Sequence, residues 1–317
     1  VTTLLVASTG GHLKQLHQLH RRLDGISGPF RWATFDTPQS RSLLADEEVD
    51  FVPFVGGRDP RAVGRNFAYA RRILREHDVD TLVSTGSAVA LPFFATARAK
   101  RLRCHYIESA ARSDGPSLTG KLVSRIPGAH LYCQYAAWAG GRWHFRGSVF
   151  DAYEAATGEE SRELGDLRRV VVTLGTYRGY GFPLLLQRLL ELLPKGAEVL
   201  WQTGDTDVSG FPIEGHEAIP ERELTAAMAA ADLVVAHAGV GAALAALEVG
   251  KCPLLVPRRL SREEHVDDHQ IQIARELSGR GVAVSVEADH LSVEDLCSAA
   301  GKTVSQRQNP PLFRTFQ

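Results

Sequence analysis

Residues 231–272 open with Ala231-Asp232-Leu233-Val234-Val235-Ala236-His237 and continue Ala238-Gly239-Val240-Gly241-Ala242-Ala243-Leu244-Ala245-Ala246-Leu247-Glu248. After Gly250 comes a second apolar run, Pro253-Leu254-Leu255-Val256-Pro257, and the stretch closes on Glu264-His265-Val266-Asp267-Asp268-His269-Gln270. The pattern reads strand, glycine turn, helix, strand, polar loop. Residues 233–236 are short, apolar and partly β-branched, as a buried parallel strand requires. Gly239 and Gly241 allow a sharp turn and close approach of a ligand to the backbone, and residues 242–247 are rich in helix formers. The unpaired amides at that helix start carry a partial positive charge suited to a diphosphate. His237 ends the strand, where open α/β sheets place ligand-binding residues. Taken alone, the glycine turn is equally well a plain βαβ packing unit. The density of charged and imidazole groups after the second strand favours a binding loop.

The same strand-turn-helix pattern recurs along the chain. Leu4-Leu5-Val6-Ala7-Ser8-Thr9-Gly10-Gly11-His12-Leu13 runs from strand into a Gly-Gly turn. A helix is predicted over 13–23, with Leu13, Leu16, Leu19 and Leu23 at helical spacing. A dinucleotide fingerprint would need the three-glycine pattern and an acidic residue at the expected distance, and both are missing. Strands are predicted at 31–35, 51–54, 81–84 and 104–107, the last ending on Glu108-Ser109. Thr85-Gly86-Ser87 follows the third of these, with a helix from 88. Residues 59–77 form an amphipathic helix carrying Arg61, Arg65, Arg71, Arg72 and Arg75. That face fits either anionic lipid or plain solvation. The polar stretch 151–168 reads as a linker. A second α/β half then begins at Val170-Val171-Val172-Thr173-Leu174-Gly175-Thr176. It continues with helices at 184–193 and 220–230, strands at 198–202 and 282–286, and a helix near 292–300.

A chain of 317 residues that is 44% hydrophobic and 23% charged suits two globular domains. Residues 1–150 hold 20 Lys and Arg against 12 Asp and Glu, a net of +8, while the other 16 basic and 25 acidic residues give −9. The two halves are therefore expected to meet different partners. No apolar run approaches the twenty residues of a membrane span, and no signal peptide is evident. Cys104, Cys133, Cys252 and Cys297 are scattered, which favours a reducing compartment and argues against structural zinc. Asp205-Thr206-Asp207 matches a metal-binding DxD but sits in a glycine-flanked loop. His265 and His269 have helical metal-ligand spacing without a clear third ligand. No metal, no cofactor and no nucleic-acid partner is expected.

With these motifs quoted, the chain resembles the GT-B glycosyltransferases, in the family that contains the peptidoglycan N-acetylglucosaminyltransferases. Residues 231–272 are similar to the catalytic subunit of the two-subunit enzyme that extends dolichol-diphosphate-linked sugar. They are also similar to the bacterial exopolysaccharide glucuronosyltransferases, through Val256-Pro257-Arg258-Arg259 and the His265–Gln270 loop. The TGGH turn and the run Glu108-Ser109-x-x-Arg112 with Ser117-x-x-Gly120-Lys121 resemble the acceptor-binding subunit, so the chain reads as two subunits fused. The resemblance implies an α/β GT-B fold, two Rossmann-like domains facing across a cleft. Residues 1–150 would bind the acceptor, 151–168 would link, 169–300 would bind the nucleotide sugar, and the tail 301–317 would return to the first domain. It implies inverting transfer from a UDP-sugar to a hydroxyl on a lipid-linked or small-molecule acceptor. His12 would be the base and Glu108 its reserve. Gly175, Thr176, His237, Gly239, Val240, Gly241 and Ala242 would hold the diphosphate, and Asp268, His269 and Gln270 the donor sugar. Gly10, Gly11, Gly86, Ser109 and Arg112 would hold the acceptor. Many relatives carry a ribose-binding Glu where this chain has Ala245, and Glu248, three residues on, is the nearest substitute. Arg258 and Arg259 are either partners of a uronate carboxylate or surface charges. The expected place is cytoplasmic, peripheral on an anionic membrane face. The alternatives are a natural-product glycosyltransferase using a dTDP- or UDP-sugar, a non-hydrolysing UDP-sugar epimerase, and a non-catalytic nucleotide-sugar-binding regulator.

Overall fold

The computed structural model describes residues 2–56, 59–156, 158, 160–176, 179–265 and 268–316. The chain divides into two units, Val1–Val149 with Pro311–Gln317, and Phe150–Pro310.

In the first unit the order is β1 (Thr2–Ala7), α1 (Gly11–Leu19), β2 (Leu23–Asp24), β3 (Phe30–Phe35), α2 (Pro38–Leu43), β4 (Val49–Val52), α3 (Pro60–Glu76), β5 (Val79–Gly86), α4 (Ala90–Ala99), β6 (Arg103–Ile107), α5 (Leu118–Val123), β7 (Ala129–Cys133) and β8 (Trp143–Phe145). Seven strands form one sheet in the order β4-β3-β1-β5-β6-β7-β8, and their pairings are parallel. Such a sheet is covered on both faces, so β1 is a continuous apolar run with Leu4, Leu5, Val6 and Ala7 fully buried. The helix predicted over 13–23 is shorter. It stops at Leu19, a 3₁₀ turn takes His20–Arg22, and Leu23 enters β2. Helix α3 buries Ala62, Asn66, Ala70, Ile73 and Leu74, and its arginines 61, 65, 71, 72 and 75 stay exposed.

The second unit runs β9 (Tyr153–Ala155), β10 (Arg169–Thr173), α6 (Pro183–Leu192), β11 (Glu198–Gln202), β12 (Gly215–His216), α7 (Glu221–Ala230), β13 (Leu233–Ala236), α8 (Val240–Glu248), β14 (Leu254–Leu255), α9 (His269–Gly279), β15 (Val284–Ser285), α10 (Val293–Ala300) and β16 (Val304–Gln306). Its sheet is β12-β11-β10-β13-β14-β15, again with parallel pairings. Both units are Rossmann-like α/β halves. Strands β10, β13 and β14 end side by side at Thr173, Ala236 and Leu255, so the turns that follow them share one sheet edge.

The stretch expected as a linker is folded. Residues 151–168 belong to the second unit, where β9 pairs antiparallel with β16. A short strand whose partner lies about 150 residues away leaves no local periodicity to read. The tail divides. Residues 304–306 stay with the second unit, and β17 (Phe313–Arg314) pairs with β2 of the first, burying Phe313. Buried Arg22 fixes that return by donating to the Ser148, Val149 and Pro311 carbonyls at 2.8–3.2 Å. Among the described residues no helix is long and apolar enough to cross a membrane.

Candidate functional site

In the second unit the site is built on the turn from β13 into α8. Gly239 is the N-cap residue of α8 and no side chain caps the helix, so the first amides are open to an anion. The His237 imidazole is wedged between two glycines. A Cβ at Gly239 would lie 2.3 Å from His237 Nε2, and one at Gly175 would lie 2.6 Å from Cε1. Gly175 also has φ of +73°, so glycine is required there twice over. The ring Nδ1 is 3.2 Å from the Thr173 carbonyl oxygen, which can only accept, so Nδ1 carries the proton and Nε2 presents its lone pair. Burial first, then the Arg258 charge, push the His237 pKa down to about 3 and keep the ring neutral. In a neutral ring bonded this way Nε2 is an acceptor, turned toward Gly239.

Arg258 is no surface charge: it is 1% exposed. Its Nη2 donates to the Leu174 carbonyl at 2.9 Å and its guanidinium lies 5.6 Å from the Phe182 ring centre. Arg259 is engaged at the rim, 2.8 Å from Glu287 and 3.6 Å from Asp268. Asp268 also accepts from the Leu260 amide at 3.0 Å, so its carboxylate shapes the loop. Gln270 is buried and its Oε1 accepts from the Arg258 amide at 2.9 Å, which leaves the NH₂ end for a sugar hydroxyl. His269 opens α9 and packs edge-on against His265 at 4.7 Å. Asp267 of the predicted loop lies outside the described residues. Thr176, Gly241 and Ala242 remain accessible, while Val240 is buried.

Ala245 is 3% exposed and packs with Leu224, Met228 and Ala246 under α7, so that face of α8 is apolar core. Glu248 ends α8, half-buried. The Asp205-Thr206-Asp207 triplet is tied into its loop by backbone amides. Asp205 accepts from the Gly179 amide at 2.7 Å, Thr206 from the Phe182 amide at 3.1 Å, and Asp207 from the Ser209 amide at 2.9 Å. Among the described residues no group of three His, Cys, Asp or Glu is arranged to hold a metal ion.

In the first unit the turn from β1 into α1 brings His12 against the end of β5. His12 Nδ1 is 2.6 Å from the Thr85 carbonyl oxygen, and a Cβ at Gly86 would lie 3.3 Å from His12 Cε1. Gly10, at φ +80°, donates its amide to Gln39 Oε1 at 2.6 Å, and Gly11 starts α1.

Glu108 and Ser109 stand differently from expectation. Glu108 is fully buried. Its oxygens accept from the Ser109 amide, the Ser117 amide and the Ser117 hydroxyl at 2.9–3.1 Å. Burial raises its pKa against the pull of those donors. A carboxylate enclosed this way anchors the loop to the start of α5 and cannot serve as the reserve base. Ser109 is buried too, its hydroxyl bonded to Gln15 Nε2 and the Ala111 amide. Two glutamines missed in the sequence tie the region together. Gln15 Oε1 accepts from the Ala110 amide and from Gln134 Nε2, and Gln134 also donates to the Glu108 carbonyl. No motif marks them, since a Gln on a helix face, as Gln15 is, or just past a strand, as Gln134 is, reads as surface. Arg112 remains partly exposed, and its carbonyl accepts from Trp138 Nε1 at 3.0 Å.

Residues 171–311 match the glycosyltransferase family 28 C-terminal domain. A glycosyltransferase of the GT-B fold is what the two Rossmann-like halves and this domain define, and the chain is one. Among known proteins it is similar to peptidoglycan N-acetylglucosaminyltransferases. It is 29% identical over 322 residues to the UDP-N-acetylglucosamine–N-acetylmuramyl-(pentapeptide) pyrophosphoryl-undecaprenol N-acetylglucosamine transferase of Nitratidesulfovibrio vulgaris, covering 92% of this chain and 86% of that one. The crystal structure of Acinetobacter baumannii MurG superposes with a TM-score of 0.54 at 20% identity, covering 94% and 89%. A UDP-GlcNAc 2-epimerase from Methanocaldococcus jannaschii superposes with a TM-score of 0.58 over 98% and 96%, but at 12% identity it shares the fold alone.

Proposed function

We propose that this glycosyltransferase moves a hexose from a UDP-sugar, with inversion, to a hydroxyl of a polyprenyl-diphosphate-linked sugar in cell-surface polysaccharide synthesis. The observation that carries the donor half is the uncapped start of α8 beside Gly239, inside the segment matched by the family domain. The acceptor oxygen attacks the anomeric carbon, the bond to the diphosphate oxygen breaks, and His12 Nε2 takes the hydroxyl proton. Charge grows on the departing diphosphate, and the amides at Gly239–Ala242 stabilise it. No step calls for a metal.

The lipid-linked acceptor is supported by the relatives' named substrate and by the exposed arginines of α3. Leu118 and Leu122 of α5, 63% and 39% exposed, lie beside Lys121 and Arg125 and suit the cytoplasmic face of an anionic membrane. Calorimetry with UDP and dTDP, then UDP release with lipid-linked and soluble acceptors, tests the reading. UDP binding with turnover on the lipid-linked acceptor supports it. Binding without turnover on any acceptor supports a regulator instead. Sedimentation with anionic vesicles that weakens at high salt supports the peripheral location.

A further inference from the structure

A buried guanidinium ordinarily has a carboxylate beside it, because an unpaired charge in the interior is costly to keep. Arg258 has none within 4 Å among the described residues. Glu264 and Asp205 pull on it only from further away. Among the described residues its Nε has no hydrogen-bond partner, and the bond to the Leu174 carbonyl is the one its guanidinium makes. A hydrophobic side chain would pack against Phe182 and avoid that cost, so the retained charge points to an anion that arrives later.

The neighbours show where that anion belongs. Arg258 follows β14 and bonds the residue that follows β10, and its field reaches His237, which follows β13. All three lie at the strand ends from which α8 starts. His237 is also faced by His265 and His269, and with Nδ1–H donated to Thr173 it turns a lone pair toward Gly239. A lone pair repels an anion. The α8 amides and the Arg258 charge are what this edge offers an anion.

We propose that Arg258 is the fixed counter-charge of the donor site, set there for the anionic oxygens of the sugar nucleotide. It acts as a positioning residue, bonded to the Leu174 carbonyl next to Gly175 and with its charge felt at His237. The anionic oxygens are those of the diphosphate or those of a uronic-acid carboxylate. The inference rests on the donor reading above.

The test is calorimetry of wild type, Arg258→Met and Arg258→Lys with uridine, UDP, UDP-glucose and UDP-glucuronate. Removing the charge should weaken UDP roughly 10- to 100-fold, the scale of losing a charge-assisted contact, and leave uridine unchanged. The lysine variant should keep most of the preference for UDP over uridine. A loss shared by UDP, UDP-glucose and UDP-glucuronate assigns the charge to the diphosphate, and a loss confined to UDP-glucuronate assigns it to the carboxylate. Should the methionine variant not fold, Arg258→Gln, which can still donate to Leu174, is read by the same ratios. Affinities all within twofold of wild type in a folded neutral variant overturn the proposal and leave the donor reading intact. Failure of the wild type to bind any of the four overturns both.

Discussion

His12 and Thr85 hold one another by two hydrogen bonds. The ring Nδ1 meets the Thr85 carbonyl oxygen at 2.6 Å, and the Thr85 hydroxyl donates to the His12 carbonyl at 2.8 Å. A carbonyl only accepts, so in the neutral ring the proton sits on Nδ1, and Nε2 is the nitrogen proposed to take the acceptor's proton. His12→Ala should lower turnover by roughly two to four decades, the range for losing a general base. UDP affinity should not change, because the donor-binding residues lie in the other unit. Near-native turnover in the variant would remove His12 from the mechanism, and buried Glu108 could not replace it.

The wedge of His237 between Gly175 and Gly239 gives a second expectation. A methyl group at Gly239 would need the space of Nε2, while Nδ1 is held by Thr173. Gly239→Ala should cost about 1–3 kcal/mol of stability, the usual cost of overpacking, and weaken UDP. In a His237→Ala background the clash is gone, so most of the stability cost should vanish. Equal costs in both backgrounds, read from denaturant melts, would show that the ring is not what the methyl meets.

Much of this was legible in the chain itself, for physical reasons that differ by residue. Strands β10 and β13 are buried on both faces, and the runs 170–172 and 233–236 announce that by being continuously apolar. The turns at Gly10 and Gly239 announce themselves through glycine. Glu108 misled, because a carboxylate at a strand end looks catalytic until its three donors and its burial are seen. Arg258 was left open between ligand and surface, since one-dimensional sequence does not show whether a charge after a strand turns inward. The 151–168 stretch was hidden because its organising partner, Val304–Gln306, is remote in sequence.

Acid sensitivity follows from two depressed histidines. His105 is 1% exposed, stacked on Tyr132, and burial pushes it down to about 3. His237 is likewise held at about 3. An unfolded His protonates near 6.5, so below that the unfolded chain binds protons the folded chain refuses. The stability these two contribute is present above pH 6.5 and is lost as pH falls toward 3. Each steepens the acid limb by up to about 1.4 kcal/mol per pH unit. His105→Phe should flatten the limb between pH 6 and 4 in urea melts. An unchanged slope would show that another group sets it.

Arg22 makes a related claim about the chain return. Its guanidinium gathers the Ser148, Val149 and Pro311 carbonyls, and Phe313 is buried just beyond. Arg22→Met would strand those acceptors without donors, which costs about 1–3 kcal/mol apiece where they are buried. The variant should melt lower, and protease should remove residues 311–317 sooner than in wild type. Tail cleavage at the wild-type rate would mean that β17 and Phe313 hold the return without Arg22.

The remaining prediction concerns ribose. A vicinal diol is well met by a carboxylate, whose two oxygens accept both protons. The family position for that carboxylate is Ala245 here, sealed by Leu224 and Met228 beneath α7, so no ribose can be held by that side chain. Glu248 is one helical turn further, about 4.5 Å along the axis at 1.5 Å per residue, and roughly 60° round from Ala245. It ends α8 half-buried, next to Val249 and Gly250, where the chain turns toward β14. If Glu248 has taken over the contact, Glu248→Gln should weaken UDP by about 1–3 kcal/mol, the scale of a hydrogen bond to a charged group. Inorganic pyrophosphate, which has no ribose, should bind the variant as it binds wild type. A role at the helix end alone gives the opposite pattern: a lower melting temperature with UDP affinity unchanged. Calorimetry with both ligands on this one variant separates the two, and a UDP affinity equal to wild type would leave the ribose to backbone groups alone.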